Sequence, residues 1–360
     1  MDSYWNGDIP WVSSGELNYN HITSTIEQIT EEGKKNANLK LIPSGTFLMA
    51  ITGLEAPGTR GSCAILDIEA TTNQSCMALF PKKEILTTKF LYYWYLKVGE
   101  HYGIKYTQGT KQQSYNKELL EKLPISLPST IKEQNKITDF LSSLNQKIEL
   151  LQEKHDYYQN FKKYLMQQIF AQKLRFDFDD EWRTVKIKDI FDERSEKGFD
   201  NLELLSVTLN DGVIKRSEIE SKDNSNDNKS NYKHVLPEDI VYNSMRMWQG
   251  ASGVSSYEGI VSPAYTILIP KNVYSKFFGY YFKTHEMIHQ FKKYSQGLTS
   301  DTWNLKYPLI SEIKLKIPSF DEQKEITKVF ETIDVKINML QNNIGEVATF
   351  KKGLLQQMFV

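Results

Sequence analysis

The hexapeptide Glu133-Gln134-Asn135-Lys136-Ile137-Thr138 returns 189 positions later as Glu322-Gln323-Lys324-Glu325-Ile326-Thr327. Extended without a gap to Phe170 and Phe359, the two stretches share 15 identities in 38 positions. The far ends agree best. Phe161-Lys162-Lys163 matches Phe350-Lys351-Lys352, and Leu165-x-Gln167-Gln168-x-Phe170 matches Leu354-x-Gln356-Gln357-x-Phe359. Working upstream, Leu127-Pro128-Ser129 parallels Ile317-Pro318-Ser319, Gln108-Gly109 parallels Gln296-Gly297, and Leu79-Phe80-Pro81 parallels Leu268-Ile269-Pro270. Leu41-Ile42-Pro43 similarly parallels Val235-Leu236-Pro237. The chain is a tandem duplication, and a repeat of this length sets the whole architecture.

The repeated stretches carry a heptad seam. In the first it runs Ile137, Leu141, Leu144, Ile148, Leu151, His155, Tyr158, Lys162, Leu165, Ile169. In the second it runs Ile326, Phe330, Ile333, Ile337, Leu340, Ile344, Val347, Lys351, Leu354, Met358. Alternating steps of 4 and 3 over about five heptads are the a/d pattern of a coiled coil. Neither stretch contains proline; Gly345 and Gly353 lie off the second seam. A helix of that length spans roughly 57 Å. Each opens after a Pro-containing turn, with Ser129, Ser319 or Asp321 as N-cap candidates. Two seams in one chain pair most simply with each other, antiparallel if a pseudo-twofold axis crosses them. Lys162 and Lys351 share one seam position, where a polar residue sets register or snorkels outward.

The expected plan is therefore two mixed α/β (α+β) heads joined by long helices that pair as an intramolecular coiled coil. The boundaries are a first head at 1–123, its helix at 124–172, a linker at 173–180, a second head at 181–316 and its helix at 317–360. Strands are expected within Leu39–Ala50, Arg60–Asp67, Ser75–Phe80, His234–Ser244, Val254–Tyr257 and Ala264–Ile269. The aromatic stretches Thr88–Val98 and Ser275–His289 read as helices packed on them, and Glu220–Asn231 as a polar loop.

Across 360 residues, 44 basic side chains oppose 45 acidic ones, for a net charge of -1. The heads are equally balanced, with 12 basic to 13 acidic residues in 1–123 and 17 to 18 in 181–313. Neither is a polycation, so any nucleic-acid surface must be a local patch. Two cysteines exclude a disulfide framework and a four-cysteine zinc site. No apolar run reaches the ~18 residues of a membrane span, and the N-terminus lacks signal-peptide character, so a cytoplasmic protein is expected.

Phosphate-cradling and redox motifs are absent from the sequence. It has no Gly-x-x-x-x-Gly-Lys-Ser/Thr, no Gly-x-Gly-x-x-Gly, no Asn-Pro-Pro-aromatic and no Cys-x-x-Cys. His285-Glu286-Met287-Ile288-His289 has the His-Glu-x-x-His spacing, yet His285 and His289, at i and i+4, lack a third ligand at metal spacing and read as boundary histidines. Binding loops are more promising. Gln108-Gly109-Thr110-Lys111-Gln112-Gln113 corresponds to Gln296-Gly297-Leu298-Thr299-Ser300-Asp301, and Thr52–Gly61 corresponds to Met245–Gly253. Amides can read adenine, Arg and Lys guanine, while Ser and Thr hold phosphates. The candidates are Arg60, Gln108, Thr110, Lys111 and Gln112 in the first head, and Arg246, Gln296, Thr299 and Ser300 in the second. Gln167, Gln168, Gln356 and Gln357 are candidates for partner docking at helix ends. No metal ligands are assigned.

In order and twice over, these features resemble the specificity (S) subunit of type I restriction-modification systems, over essentially the whole chain. Trp5-Asn6-Gly7-Asp8-Ile9-Pro10-Trp11-Val12 resembles the opening of that family's target-recognition domains. Leu127-Pro128…Glu133-Gln134-x-x-Ile137 and Ile317-Pro318…Glu322-Gln323-x-x-Ile326 resemble the starts of its two conserved helical regions. Gln167-Gln168-Ile169-Phe170…Lys173-Leu174-Arg175-Phe176 resembles how the first of them ends. The resemblance implies a non-catalytic subunit whose two domains each read half of a split double-stranded DNA site. The helices would set the spacing and dock two methyltransferase subunits. Those subunits would bring S-adenosylmethionine, and motor-nuclease subunits ATP and magnesium, with no cofactor in this chain and no membrane partner. The alternative is a coiled-coil scaffold whose heads bind protein or glycan ligands. One departure stands out. The second head opens with Trp182–Phe191, about 20 residues ahead of Leu204-Leu205-Ser206-Val207, whereas the first head starts near the equivalent of that later strand. The first head is thus expected to lack its N-terminal lead-in.

Overall fold

The computed structural model describes residues 2–54, 58–107, 113–220, 225, 228–299 and 302–359. They fall into two compact bodies. One comprises Met1–Glu153 with Gln341–Val360, the other Lys154–Leu340, so each body contains one head and half of each long helix.

The long helices are Ile131–Phe170 and Phe320–Met358. Every one of the twenty seam side chains is buried or half-buried. Partner numbers rise on one helix as they fall on the other. Phe170 stacks on Phe330 at 5.9 Å, and Lys162 Nζ reaches Asp334 Oδ1 at 2.6 Å in the second body. Glu149 acts on Lys351 in the first. The pairing is antiparallel. At the second helix Ser319 Oγ accepts from the Glu322 N–H, while at the first the acceptor is Thr130 Oγ1, one residue beyond Ser129.

Each head has a sheet whose central strand is flanked by two antiparallel neighbours. In the first body the order is Asn20–Ile22, Cys63–Leu66, Phe47–Ala50, Cys76–Leu79, with only the outermost pair parallel. In the second it is Ser252–Val254, Ile240–Asn243, Tyr265–Pro270, Phe191–Arg194, all antiparallel. Registers correspond residue for residue: Phe47 opposes Leu79 as Ile240 opposes Leu268. The strand expected at Val254–Tyr257 is instead Ser252–Val254, because the Ser255 hydroxyl donates to the Tyr257 carbonyl and accepts from the Tyr257 N–H in a local turn. Trp5–Val12 forms a further strand paired with Glu27–Ile29 and Thr71–Thr72. Much of the polar stretch 220–231 lies outside the described residues.

An aromatic helix packs on each sheet. In the first body it is continuous, Thr88–Lys105; in the second it is split into Ser275–Tyr281 and His285–Tyr294. The Thr284 side chain caps the second piece by accepting from the Met287 N–H. One buried amide ties each aromatic helix to its long helix. Gln134 Oε1 accepts from Thr87 N–H (3.0 Å) while its Nε2 donates to the Ile85 carbonyl. Gln323 Oε1 accepts from Tyr274 N–H (2.9 Å) while its Nε2 donates to the Pro318 carbonyl. Both satisfy backbone groups that burial would otherwise leave unpaired at a cost of about 1–3 kcal/mol each. This explains the repeated Glu-Gln, and it anchors each head to the helix pair.

Candidate nucleic-acid interface

In the second body two loops are clamped side by side at the end of strand Ile240–Asn243. The Leu305 N–H donates to the Ser244 carbonyl (2.8 Å), and the buried Ser244 hydroxyl pairs with Thr266 Oγ1 at 2.9 Å. Trp248 meets Trp303 edge to face at 5.3 Å, and Lys292 Nζ lies 5.5 Å from the Trp303 ring centroid. The Trp248 indole N–H closes its own loop on the Met245 carbonyl (3.0 Å). In the other loop, Gln296 and Asn304 exchange both backbone hydrogen bonds, and Thr302 Oγ1 donates to the Thr299 carbonyl (3.0 Å). Gly297 has φ 153°, and a Cβ there would meet the Thr302 carbonyl oxygen at 2.6 Å, so only glycine fits. The rigid floor leaves Arg246, Gln296 and Thr299 exposed, alongside Met245, Gln249 and Lys292. A guanidinium, amides, a hydroxyl and an ammonium on adjacent braced loops form a donor set suited to base edges and phosphates.

The first body repeats the clamp with different side chains. The Tyr115 N–H donates to the Ile51 carbonyl (2.9 Å), where Leu305 and Ser244 stand in the other copy, and the Leu54 N–H donates to the Gln113 carbonyl (3.2 Å). Arg60 is half-buried against Gly103. Its Nη2 donates to Gln113 Oε1 at 3.3 Å, and its carbonyl accepts from the Tyr19 hydroxyl at 2.9 Å. Arg60 thus braces the two loops against each other. Gly61, at φ 76°, presses on the aromatic helix, where a Cβ would come within 2.8 Å of the Glu100 nitrogen. Burial pushes the Tyr115 hydroxyl up to about 12, so the charge in this floor is that of the Arg60 guanidinium. Gln108, Thr110, Lys111, Gln112 and Ser300 lie outside the described residues.

Sequence reasoning passed over Lys292 and the Trp248–Trp303 contact. The signal available was a Phe291-Lys292-Lys293 run just ahead of the loop and a tryptophan in each loop of the pair. Among the helix-end glutamines, Gln167, Gln356 and Gln357 are exposed and Gln168 is half-buried, its carbonyl accepting from Lys173 and Leu174 as the helix ends. Among the described residues no group of three or more His, Cys, Asp or Glu is placed to hold a metal ion, and no helix is long and apolar enough to cross a membrane.

The type I restriction modification DNA specificity domain matches twice, over residues 2–156 and 179–349. The chain is 30% identical over 152 residues to the type I restriction enzyme MjaIX specificity subunit of Methanocaldococcus jannaschii, covering 41% of this chain and 34% of that one. It is 28% identical over 172 residues to the EcoR124I/EcoR124II specificity subunit of Escherichia coli, covering 44% and 41%. These matches thus span well under half of either relative. The MjaVIII specificity subunit of M. jannaschii matches at 23% over 330 residues, 83% of this chain and 75% of that one. In fold, the chain is similar to a type I restriction-modification S subunit from M. genitalium (TM-score 0.58, 16% identity, 100% of this chain and 91% of that one). It is similar also to an HsdS subunit from Thermoanaerobacter tengcongensis (TM-score 0.55, 14% identity, 100% and 94%). With both halves matched, the chain belongs to the family of type I restriction-modification DNA specificity domains, of which it carries two.

Proposed function

We propose that this chain is the non-catalytic DNA-specificity subunit of a type I restriction-modification complex. Each head reads one half of a bipartite double-stranded target, and the antiparallel helices set the spacing between halves. The observation that carries this reading is the repeated clamp: in both bodies the same backbone bond, Leu305 to Ser244 and Tyr115 to Ile51, locks two polar loops together. Two copies of one reading device on an inverted pair of helices suit a split site. In the second head Arg246, Gln296 and Thr299 approach the DNA, supported by the tryptophan pair. In the first, Arg60 positions the loop that carries Gln108, Thr110, Lys111 and Gln112, and Ser300 belongs to the reading loop of the second.

The chain acts in the cytoplasm with two methyltransferase subunits, which dock on the helices at Gln167, Gln168, Gln356 and Gln357, and with motor-nuclease subunits. S-adenosylmethionine, ATP and magnesium enter with those partners. Near-neutral heads fit such an assembly, because the partners supply positive surface around the DNA. Methylome sequencing of a host carrying this chain and its methyltransferase partner tests the proposal. A bipartite methylated motif is expected, with Arg246→Ala relaxing one half only. No motif dependent on this chain, or equal effects on both halves, refutes it.

A further inference from the structure

In each body the helix packed on the sheet leads straight into the Gln-Gly loop, and one pattern recurs along it. Lys97, His101 and Lys105 stand 11, 7 and 3 residues before Gln108, as His285, His289 and Lys293 stand 11, 7 and 3 residues before Gln296. Steps of four keep each triplet on one helical face. All six side chains are exposed. The opposite, buried face has changed entirely, with Gly99 and Gly103 standing where Met287 and Phe291 stand. The exposed face has nonetheless kept an ammonium or imidazole at all three positions. Among the described residues none of the six makes an ion pair or a side-chain hydrogen bond. His101 and Lys105 rest only against the rings of Tyr102 and Tyr106.

The stripe is fixed relative to both loops of its head. In the first body Gly61, which closes the loop Thr52–Gly61, packs on the helix backbone at Gly99, where a Cβ would come within 2.8 Å of the Gly61 Cα. In the second, Gly250, at φ 91°, abuts Ile288, whose Cδ1 an added Cβ would meet at 2.7 Å. One loop is thus packed on the helix beside the stripe, and the other follows it in the chain. Eight residues of helix rise about 12 Å. That is the span of three or four phosphates along one DNA strand, at about 3.4 Å each. On the same face the first body exposes Ile104 and the second Lys292, so the second stripe carries an additional ammonium. One exposed carboxylate flanks each stripe, Glu100 in the first body and Glu286 in the second.

We propose that each stripe is a rail for consecutive phosphates of one DNA strand, held at a fixed distance from the bases that the loops read. The proposal rests on the DNA-specificity reading above and adds positioning residues to it. Each lysine neutralises a phosphate, and each histidine donates a ring N–H in either protonation state. Because none of these side chains holds a carboxylate, no ion pair has to break when phosphate arrives. Such contacts set register and orientation on the duplex without reading sequence. They also supply the local positive patch that two near-neutral heads require.

The test titrates the full chain, assembled with its methyltransferase partner, with fluorescent target and scrambled duplexes over a range of salt concentrations. Lys97→Gln, His101→Gln and Lys105→Gln together should weaken binding of both duplexes equally, by about 10–100-fold at about 0.1 M salt. The log–log salt slope should flatten by about 1.8, at about 0.9 per phosphate released. His285→Gln, His289→Gln and Lys293→Gln together remove one lysine and should flatten it by about 0.9. Lys97→Arg with Lys105→Arg should keep the full slope. Melting should be unchanged in all three variants, since the side chains are exposed and glutamine and arginine suit a helix. The methylated motif should also be the same in each. An unaltered slope in either glutamine variant, or a loss confined to the target duplex, overturns the rail and leaves the specificity reading standing. An unsubstituted complex that binds neither duplex overturns both.

Discussion

Replacing Asp334 by asparagine would convert the seam of the second body into that of the first. In the second body Asp334 receives Lys162 Nζ at 2.6 Å on one oxygen and the Tyr280 hydroxyl at 2.7 Å on the other, with the ammonium 4.9 Å from the Tyr280 ring centroid. In the first body the corresponding residues are Lys351, Asn145 and Tyr93, and Asn145 Nδ2 donates to the Tyr93 hydroxyl at 3.0 Å. Asparagine at 334 keeps a single acceptor for two donors, so one charge-assisted hydrogen bond is lost, worth about 1.5–3 kcal/mol. The pair is 23% and 34% exposed, which places it between surface pairs at about 0–1 kcal/mol and buried ones at about 3–5. We expect a loss of about 2 kcal/mol, or about 4–8 °C in the melting of a body this size. Amide exchange resolved on Lys154–Leu340 is the assay, completed by a double-mutant cycle with Lys162→Met. A coupling energy between 162 and 334 within about 0.5 kcal/mol of zero would refute the assignment. The reciprocal change, Asn145→Asp, should stabilise the first body by about 1 kcal/mol, since Lys351 then gains a facing carboxylate.

Gln323→Ala should cost the second body about 2–3 kcal/mol by orphaning the Tyr274 N–H and the Pro318 carbonyl, visible as faster exchange at the start of helix Ser275–Tyr281. Phe359, buried with its ring 5.0 Å from that of Phe90, should cost about 3–5 kcal/mol as alanine, confined in exchange measurements to the first body. Burial lowers Lys351 from its usual value despite the opposing pull of Glu149. The unfolded lysine therefore holds its proton more tightly, and first-body stability should rise with pH between the depressed value and about 10.5. Lys351→Met should remove that slope; an unchanged slope in denaturant titrations would count against it. Burial also pushes the Cys76 thiol up to about 12, so alkylation near pH 8 should be slow until the first body unfolds.

The heptad seam was readable because burial along a helix pair follows a strict 4–3 spacing, and the duplication because both copies still obey it. Helix direction was not readable, since either direction buries the same stripe. It is contacts such as Phe170 with Phe330 that decide it. The Glu-Gln repeat could be seen but not interpreted: Gln134 and Gln323 bond residues about 50 positions away that only the tertiary fold brings near. The split of the second aromatic helix escaped periodicity because Phe282, Lys283 and Thr284 differ little from helical residues in composition. Arg60 reads as a loop cation, yet the glycine at 103 opens a berth for its side chain on the neighbouring helix, and the glycine at 99 admits Gly61 beside it. Side-chain type alone does not reveal such a berth.

The antiparallel pairing also sets a timetable for biosynthesis. The core of the first head includes Leu354, Leu355, Met358 and Phe359, which follow its strand Phe47–Ala50 by about 300 residues. At about 5–20 residues per second, its earliest strands wait tens of seconds on the ribosome for the helix that seals them. The second head, built from the contiguous stretch Lys154–Leu340, faces no such wait. A premature stop just after Leu340, within the helix Phe320–Met358, would therefore spare the later-made head and leave the earlier-made one uncovered.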